Sequence, residues 1–510
     1  MKILDRVMRR IGYGKIQKRS GNAFHAAAIN RLTSDWNVAQ LSPDSAIWKD
    51  IKALKARSRD LERNNDYVRK FLLDAEKNVI GSAGIGLQMK VKNPDAIVNG
   101  KLVKGGYDRL ANDQIETAWY EFCKRRTFTV TRKMGSLTAC RLILRSILRD
   151  GECLVRKVKG FDNDWGFSIQ LIESDLLDVD YSSVPQKGNK IKMGVELNQW
   201  DEPVAYHILQ SHPGDLFSAG GSEQYRGRVR VPAAEILHPF VPDRIGQTRG
   251  YPWMVSTLLR TQLLGGFEDA HVIAAQSGAA TMGFFKRTTP EGWGGETDPQ
   301  GNLIQQVEPG LIIDMPMGVE FQSHIPNAPN PQYAEFRKGV LRGIASGLGV
   351  SYNNLSGDYE SVNYSSLRAA ALDDREVWKM LQAFFIEEVI QEIFTPWLEM
   401  AMFAGKITLP VRKLAKFNNP EWKPRRWDWV DPLNDVEASI KEVQHGFKSA
   451  RSIISEGGGD IEDVYQEISE DEALAEEYDI ELGIDKEASA EVTVATAQAE
   501  ATAANKPERE

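Results

Sequence analysis

Three glycines recur every four residues, at Gly339, Gly343 and Gly347, inside the segment from Gln332 to Leu348. On a helix that spacing stacks residues along one strip of the surface. Val340, Ile344 and Leu348 form a second, apolar strip about 100° away, and Lys338 and Arg342 form a third on the other side of the glycines. Each glycine weakens a helix interior by about 1 kcal/mol relative to alanine, so three in register imply very close neighbours. Two arrangements meet that need. One is a helical hairpin within a single core. The other is a helix packed closely on one side while presenting charge on another, as in a larger assembly.

The flanking sequence favours an assembly. Before it, Pro252 to Ser277 reads as helix, with Pro252 in the first turn. Leu258, Leu259, Gln262, Leu263, Phe267, Ala270, Ile273 and Ala274 fall on one broad face, and Gly265 and Gly266 again imply a close neighbour. Residues 278–330 read as a small inserted unit, with strands expected at Thr281–Arg287 and Leu311–Phe321 around the Gly/Pro-rich stretch Pro290–Gly301. After Leu348, Gly349 to Asn363 is dense in turn formers. A helical pattern then runs from Tyr364 to Ala404 through Leu367, Ala371, Trp378, Leu381, Phe385, Val389, Ile393, Trp397 and Met400. About 40 helical residues span roughly 60 Å, longer than a small domain, and Pro396 should kink them.

The N-terminal half alternates in type. Residues 43–80 read as two helices, the second with Val68, Phe71, Leu72, Ala75 and Val79 in 3.6-residue period and Gly81 at its end. Residues 108–125 and 136–149 repeat the helical pattern. Cys140 lies on the apolar face of the latter, which makes it a packed thiol rather than a reactive one. Short strands follow at Glu152–Val158, Gly166–Ile172, Lys190–Val195, Val204–Gln210 and Arg226–Val231, closed by Glu235–Val241; they make an antiparallel β module. Residues 405–430, with Trp422, Trp427 and Trp429, read as extended. Residues 431–455 and 460–480 return to helix, split by Gly457, Gly458 and Gly459.

Charge narrows the function classes. The net −8 is uneven: residues 456–510 hold 18 acidic against 3 basic residues, and residues 1–31 hold 8 basic residues and one acid, Asp5. The body between them is neutral on balance, unlike a tight nucleic-acid binder. The basic N-terminus interrupts any apolar signal core; it could dock on nucleic acid, an acidic partner or a membrane surface, and its plain reading is a solvated arm. No apolar run reaches the roughly 18 residues of a membrane span. Cys123, Cys140 and Cys153 show no CxxC spacing and read as reduced thiols in a cytosolic setting.

No phosphate loop, HExxH or GxSxG is present, and no cofactor is implied. His207 and His212 would lie on opposite faces of a strand. Gly81 to Gly86 lacks the order of a dinucleotide fingerprint and reads as turn. Asp162/Asp164 and Asp178/Asp180 could hold a hard cation, although paired acids near turns more often cap loops; Asp373, Asp374 and Glu376 read as a charged helix face.

Several segments, taken in order, resemble the portal (head–tail connector) proteins of tailed bacteriophages in the lambda-like branch. They are Ala56-Arg-Ser-Arg-Asp-Leu-Glu-Arg-Asn-Asn65 with the helix after it, Pro242-Asp-Arg-Ile-Gly-Gln-Thr-Arg-Gly-Tyr-Pro252, and the Ala-rich helix to Ala280. Then come Gly349-Val-Ser-Tyr-Asn-Asn-Leu-Ser-Gly-Asp358 with Asn363-Tyr-Ser-Ser-Leu-Arg368, and Phe394-Thr-Pro-Trp-Leu398. The resemblance spans about 40–480 and leaves out the basic arm (1–31) and the acidic tail (481–510).

That resemblance implies an elongated α+β subunit with mainly helical wing, stem and crown, a β-rich wing module and a small α/β clip. The wing would be 32–250, the stem helices 251–277 and 331–348, the clip 278–330, the tunnel loop 349–363, the long kinked helix 364–404, and the wing-to-crown connection and crown 405–480. It further implies a homo-oligomeric ring, usually of twelve, at one capsid vertex. Double-stranded DNA would pass through the channel. Partners would be the terminase motor, the major capsid and scaffolding proteins, and the head–tail adaptor or tail proteins, with no membrane. Lys338 and Arg342 would then touch phosphates, and Tyr352, Asn353, Asn354, Asp358, Tyr359 and Glu360 would belong to the channel loop. Gly339, Gly343, Gly347, Gly265 and Gly266 would let neighbouring stems pack closely. The rival readings are another ring-forming head–tail adaptor, and a metal-dependent nuclease using Asp162/Asp164 or Asp178/Asp180.

Overall fold

The structure is a computed structural model. It describes residues 31, 37–93, 96–98, 101–103, 107–185, 188–215, 227–280, 283–287, 319–323, 333–360, 362–427, 432–456 and 461–477. Outside them lie the basic arm (Arg31 apart), most of the unit at 278–330, Trp429, Gly457 to Gly459 and the acidic tail.

Helix α1 (Pro43–Asn64) starts as its sequence predicts: Pro43 occupies the first position, and the Ser45 N–H donates to Ser42 Oγ at 3.2 Å. Asn65 ends α1 and caps α2 (Asp66–Val79), its side-chain oxygen accepting from the Tyr67 and Val68 N–H groups. Strand β1 (Gly86–Met89) and the hairpin of β2 (Ala96–Val98) and β3 (Lys101–Val103) follow. Next come α3 (Arg109–Phe122) and α4 (Ser136–Asp150), the latter closed by Gly151 at φ +91°.

The β module forms two antiparallel sheets. The first joins β4 (Leu154–Lys159) and β5 (Phe167–Ile172) to a later strand. The second is a meander of β6 (Lys190–Lys192), β7 (Val195–Leu197), β8 (Pro203–Leu209) and β9 (Arg228–Pro232) in that order. The later strand is β10 (Ile236–Leu237), which pairs with β4. Two expectations need correcting. The strand expected over 190–195 breaks at Met193 and Gly194, both at positive φ. The strand expected over 235–241 keeps only β10 and a bridge from Glu152 to Phe240.

A 3₁₀ turn, Trp253–Ser256, precedes α5 (Leu258–Ala280), so Pro252 lies ahead of the α-helix instead of in its first turn. Within 278–330 the described strands β11 (Gly283–Arg287) and β12 (Val319–Ser323) pair antiparallel. Helix α6 (Tyr333–Leu348) carries the glycine pattern. The segment read as a polar loop contains a helical turn, α7 (Tyr352–Ser356), capped by Ser351 and ended by Gly357 at φ +72°.

Then α8 (Tyr364–Phe385), a π-helical turn (Ile386–Ile390) and α9 (Gln391–Phe403) run on without interruption. Pro396 sits inside α9, while the irregularity is the π turn before it, where the Gln391 N–H reaches Ile386 O. Residues 405–427 are only partly extended. Helical turn α10 (Leu414–Phe417) precedes β13 (Pro420–Lys423), which pairs with β1. Helices α11 (Pro432–Gln444), α12 (Ala450–Glu456) and α13 (Ile461–Glu477) complete the described chain.

The core is centred on aromatic rings from three parts of the chain. Trp119 of α3 meets Trp397 and Phe394 of α9 at 4.8 and 5.4 Å, and Trp422 of β13 at 5.8 Å. Edge-on packing of this kind adds roughly 0.5–1.5 kcal/mol per pair beyond burial. Cys140 and Cys153 are buried and Cys123 half-buried; burial pushes the Cys123 and Cys153 thiols up to about 12, which fits packed, unreactive groups. The whole is α+β, with helices laid against small antiparallel sheets.

Candidate functional site

Helices α5 and α6 form an antiparallel hairpin, and the glycines show how. A Cβ on Gly347 would run into Thr257, and one on Gly343 into the Arg260 guanidinium. Farther along, Phe267 lies 4.9 Å from Phe336, and His271 lies 4.9 Å from Tyr333. Gly347 therefore packs closely within one chain, while at Gly343 the near atoms are the movable end of the exposed Arg260 side chain. Gly265 has only the Asn65 side chain within contact range, and Gly266 and Gly339 face open space. The buried side of α6 is Leu341, Ile344, Ala345 and Leu348, so Leu341 replaces the half-buried Val340 in the expected strip.

The basic strip and the following loop converge. Lys338 Nζ lies 3.4 Å from Asp358 Oδ2, and the Tyr352 hydroxyl donates to the same oxygen at 2.8 Å. The Arg342 guanidinium sits 5.5 Å from the Tyr352 ring centroid, a cation–π contact. The Tyr352 hydroxyl and, behind it, Lys338 hold the Asp358 carboxyl below its ordinary range. From α8, Asp374 accepts from the Ser351 N–H and hydroxyl, both at 2.7 Å, and from Asn354 Nδ2 at 3.3 Å. The Asn353 carbonyl accepts the Gly357 N–H. Asp374, read from sequence as part of a charged face, is a buried anchor for the loop.

Residues 351–358 are thus pinned at both ends. Beyond the pin Tyr359 is 56% exposed, and Glu360 is exposed too. An open cleft of about 430 Å³ lies between helix and loop, lined by Arg337, Lys338, Asp358, Tyr359 and Glu360 among others. Mixed charge of this kind can touch a passing phosphate without holding it, because strong salt-dependent binding needs several uncompensated cations together.

The root of the hairpin is a buried ionic knot that sequence reading missed. Glu152, with no exposed surface, accepts from Arg249 Nε at 2.8 Å, Lys55 Nζ at 2.8 Å, His238 Nε2 at 2.9 Å and the Gly250 N–H at 3.0 Å. Burial pushes its pKa up, but Arg249 and Lys55 outweigh burial and hold it well below the usual carboxylate range. Burial lowers Lys55 and His238 against the pull of Glu152. Backbone contact closes the joint: a Cβ on Gly151 would fall on the Tyr251 backbone, and one on Gly250 on the Gly151 carbonyl. Arg249 and Gly250 belong to the Pro242–Pro252 segment, so that segment's inner half fixes how the α5–α6 hairpin leaves the β module.

The other candidate chemistry disperses. His207 pairs with Glu196, Asp178 with Arg228, Asp180 with Lys52 and Asp164 with Lys406. His212 faces Glu173 and Asp175 at 3.6 and 3.5 Å, but Arg59 already bridges both carboxylates. His212 Nδ1 accepts the Gly214 N–H at 3.0 Å, and its buried Nε2 faces the two carboxylates without a hydrogen bond to either. The arrangement is a charge-linked staple between loops.

A family model described as phage portal protein, lambda family, matches residues 30–382. A probable portal protein of Halomonas phage phiHAP-1 is 34% identical over 455 residues, covering 88% of this chain and 86% of the relative. Portal protein B of Escherichia phage lambda is 22% identical over 492 residues, covering 84% and 85%. Among solved structures, the neck of an empty GTA particle computed with C6 symmetry overlaps 80% of this chain and 93% of its own at 15% identity and a TM-score of 0.41.

Proposed function

Since this chain belongs to the lambda family of phage portal proteins, we propose that its copies stand side by side in a closed ring at one capsid vertex of the virion. Double-stranded DNA enters and leaves through the middle of that ring. The role is structural: the chain supplies a conduit, while the packaging motor, shell proteins and head–tail adaptors dock around it. Lys338 and Arg342, repeated once per copy, become a sparse positive belt. The loop 349–363 narrows the passage, with Tyr352, Asn353, Asn354 and Asp358 in its braced base and Tyr359 and Glu360 at its exposed end.

The observation that carries this reading is the bracing of the loop. Asp374 and the Lys338–Asp358–Tyr352 cluster tie it to two long helices, so it meets its cargo as a preshaped rim. Lys338 is half-compensated by Asp358, whereas Arg342 is exposed and carries the freer charge. Reversing it tests the reading. Phage carrying Arg342→Glu should assemble normal heads but fill or retain DNA poorly, read as full-length genome per particle. Normal filling and retention would remove Arg342 from the DNA path.

A further inference from the structure

Five of the ten residues from Lys124 to Lys133 are cationic: Lys124, Arg125, Arg126, Arg132 and Lys133. All five are exposed. They lie in the connection between α3 and α4, whose backbone is firmly held. The Ser136 N–H donates to the Cys123 carbonyl at 2.9 Å, Thr127 Oγ1 to the Phe122 carbonyl at 2.7 Å, and Thr129 Oγ1 to the Met134 carbonyl at 3.0 Å. A Cβ on Gly135 would stand 3.0 Å from the Cys123 carbonyl oxygen and 3.3 Å from the Arg125 backbone nitrogen, so the connection doubles back on itself. Helix α4 starts at the same joint without a side-chain cap, and its positive end adds to the field. Among the described residues, Lys124, Arg125, Arg126 and Lys133 form no ion pair. Arg132 donates to the Asp162 carbonyl at 2.7 Å and lies over the Phe161 ring. The adjacent acids are Glu121 and Asp162; five cations against these two leave an excess of three.

We propose that this basic connection seats the acidic C-terminal segment of the same chain, residues 478–510, which covers it and keeps nucleic acid off it. That segment lies outside the described residues. Its acid-rich part holds Asp479, Glu481, Asp485, Glu487 and Glu491 against one base, Lys486. Two arguments identify it as the occupant. The first is charge: the segment supplies an anionic excess of matching size, while the body of the chain is neutral on balance. The second is reach. Arg451 of α12 lies 5.9 Å from the Tyr107 ring, just ahead of α3, and α13 packs on α12. Helix α3 carries the chain about 21 Å from there to the basic connection, and α13 is about 25 Å long. The chain beyond Glu477 extends by up to about 3.3 Å per residue, so it spans these distances, and the tether sets an effective concentration on the order of millimolar. Left open, five cations on every copy would make a conduit hold its cargo, since roughly 6–10 phosphate contacts already give strong, salt-dependent binding. The seat holds for a single chain and does not depend on the ring.

The first test is carbodiimide coupling of the full chain, which joins a lysine to a carboxylate only where the two touch, followed by peptide mass spectrometry. The expected products keep the mass of one chain and join Lys124 or Lys133 to acids of 479–510. No joint to either lysine overturns the proposal. So do joints from the segment to Lys2, Lys15 or Lys18 alone, which make the basic arm its partner, and joints found only at the mass of two chains, which seat it on another copy.

The second test uses a short DNA duplex as the probe at physiological salt. The full chain with Asp479→Asn, Glu481→Gln, Asp485→Asn, Glu487→Gln and Glu491→Gln should bind it at least about tenfold more tightly than the unaltered chain. Adding Arg125→Glu/Arg126→Glu should remove that gain. Equal binding with and without the five tail substitutions overturns the shield. A matching loss when Arg125→Glu/Arg126→Glu is placed in the otherwise unaltered chain would show an open nucleic-acid surface and overturn it as well.

Discussion

Glu152 sits at a joint where one carboxylate, with no exposed surface, is shared by Arg249, Lys55, His238 and the Gly250 backbone. Removing one member of a buried ionic cluster leaves the others uncompensated, at a cost of about 3–5 kcal/mol. Glu152→Gln should therefore lower unfolding stability by that order in chemical denaturation; a loss below about 1 kcal/mol would show that the knot is not needed for folding. The knot also sets a pH dependence. His238 is held below its ordinary 6.5 and Glu152 below its ordinary 4.5. A depressed folded pKa gives stability that is present above the unfolded value and lost as pH falls toward the folded one. Melting temperature should accordingly start to fall below about pH 6.5 and fall again below about pH 4.5. His238→Gln, whose amide can still donate to Glu152, should remove the first decline and keep the second. None of this was legible in the sequence. Lys55, Glu152, His238 and Arg249 lie far apart in the chain, and a buried charge looks like an exposed one until the fold brings its partners.

At the scale of elements, the sequence and the structure part company where tertiary contacts choose among equivalent readings. Helix periodicity placed α1 to α4, α6 and the long run from Tyr364 because apolar stripes and caps are local signals. The π turn at Ile386–Ile390 was invisible, since one extra residue leaves composition unchanged and shifts only which side chains face the core. The glycine strip was visible, but the identity of its neighbour was not. Within α6 the three glycines now separate. Gly347→Ala drives a methyl against Thr257 and should destabilise the chain. Gly339→Ala meets open space and should stabilise it by up to about 1 kcal/mol through helix propensity. Thermal melts of the two variants check this; equal shifts would contradict the hairpin packing.

Over the whole molecule, the assembly is what a single chain cannot display. The family model matches residues 30–382, and the resemblance of ordered segments such as Pro242–Pro252 and Gly349–Asp358 pointed to the family from the residues alone. What those segments contact became visible only in three dimensions: one joins the α5–α6 hairpin to the β module, and the other forms a braced loop beside Lys338 and Arg342. The central claim is that this rim, repeated around an axis, is the aperture for duplex DNA. Cryo-electron microscopy of the purified full-length protein tests it most directly. The account predicts a closed ring with residues 351–360 at the narrowest point of a channel wide enough for a duplex. Single chains or pairs, or a ring that carries 351–360 on its outer surface, would contradict it.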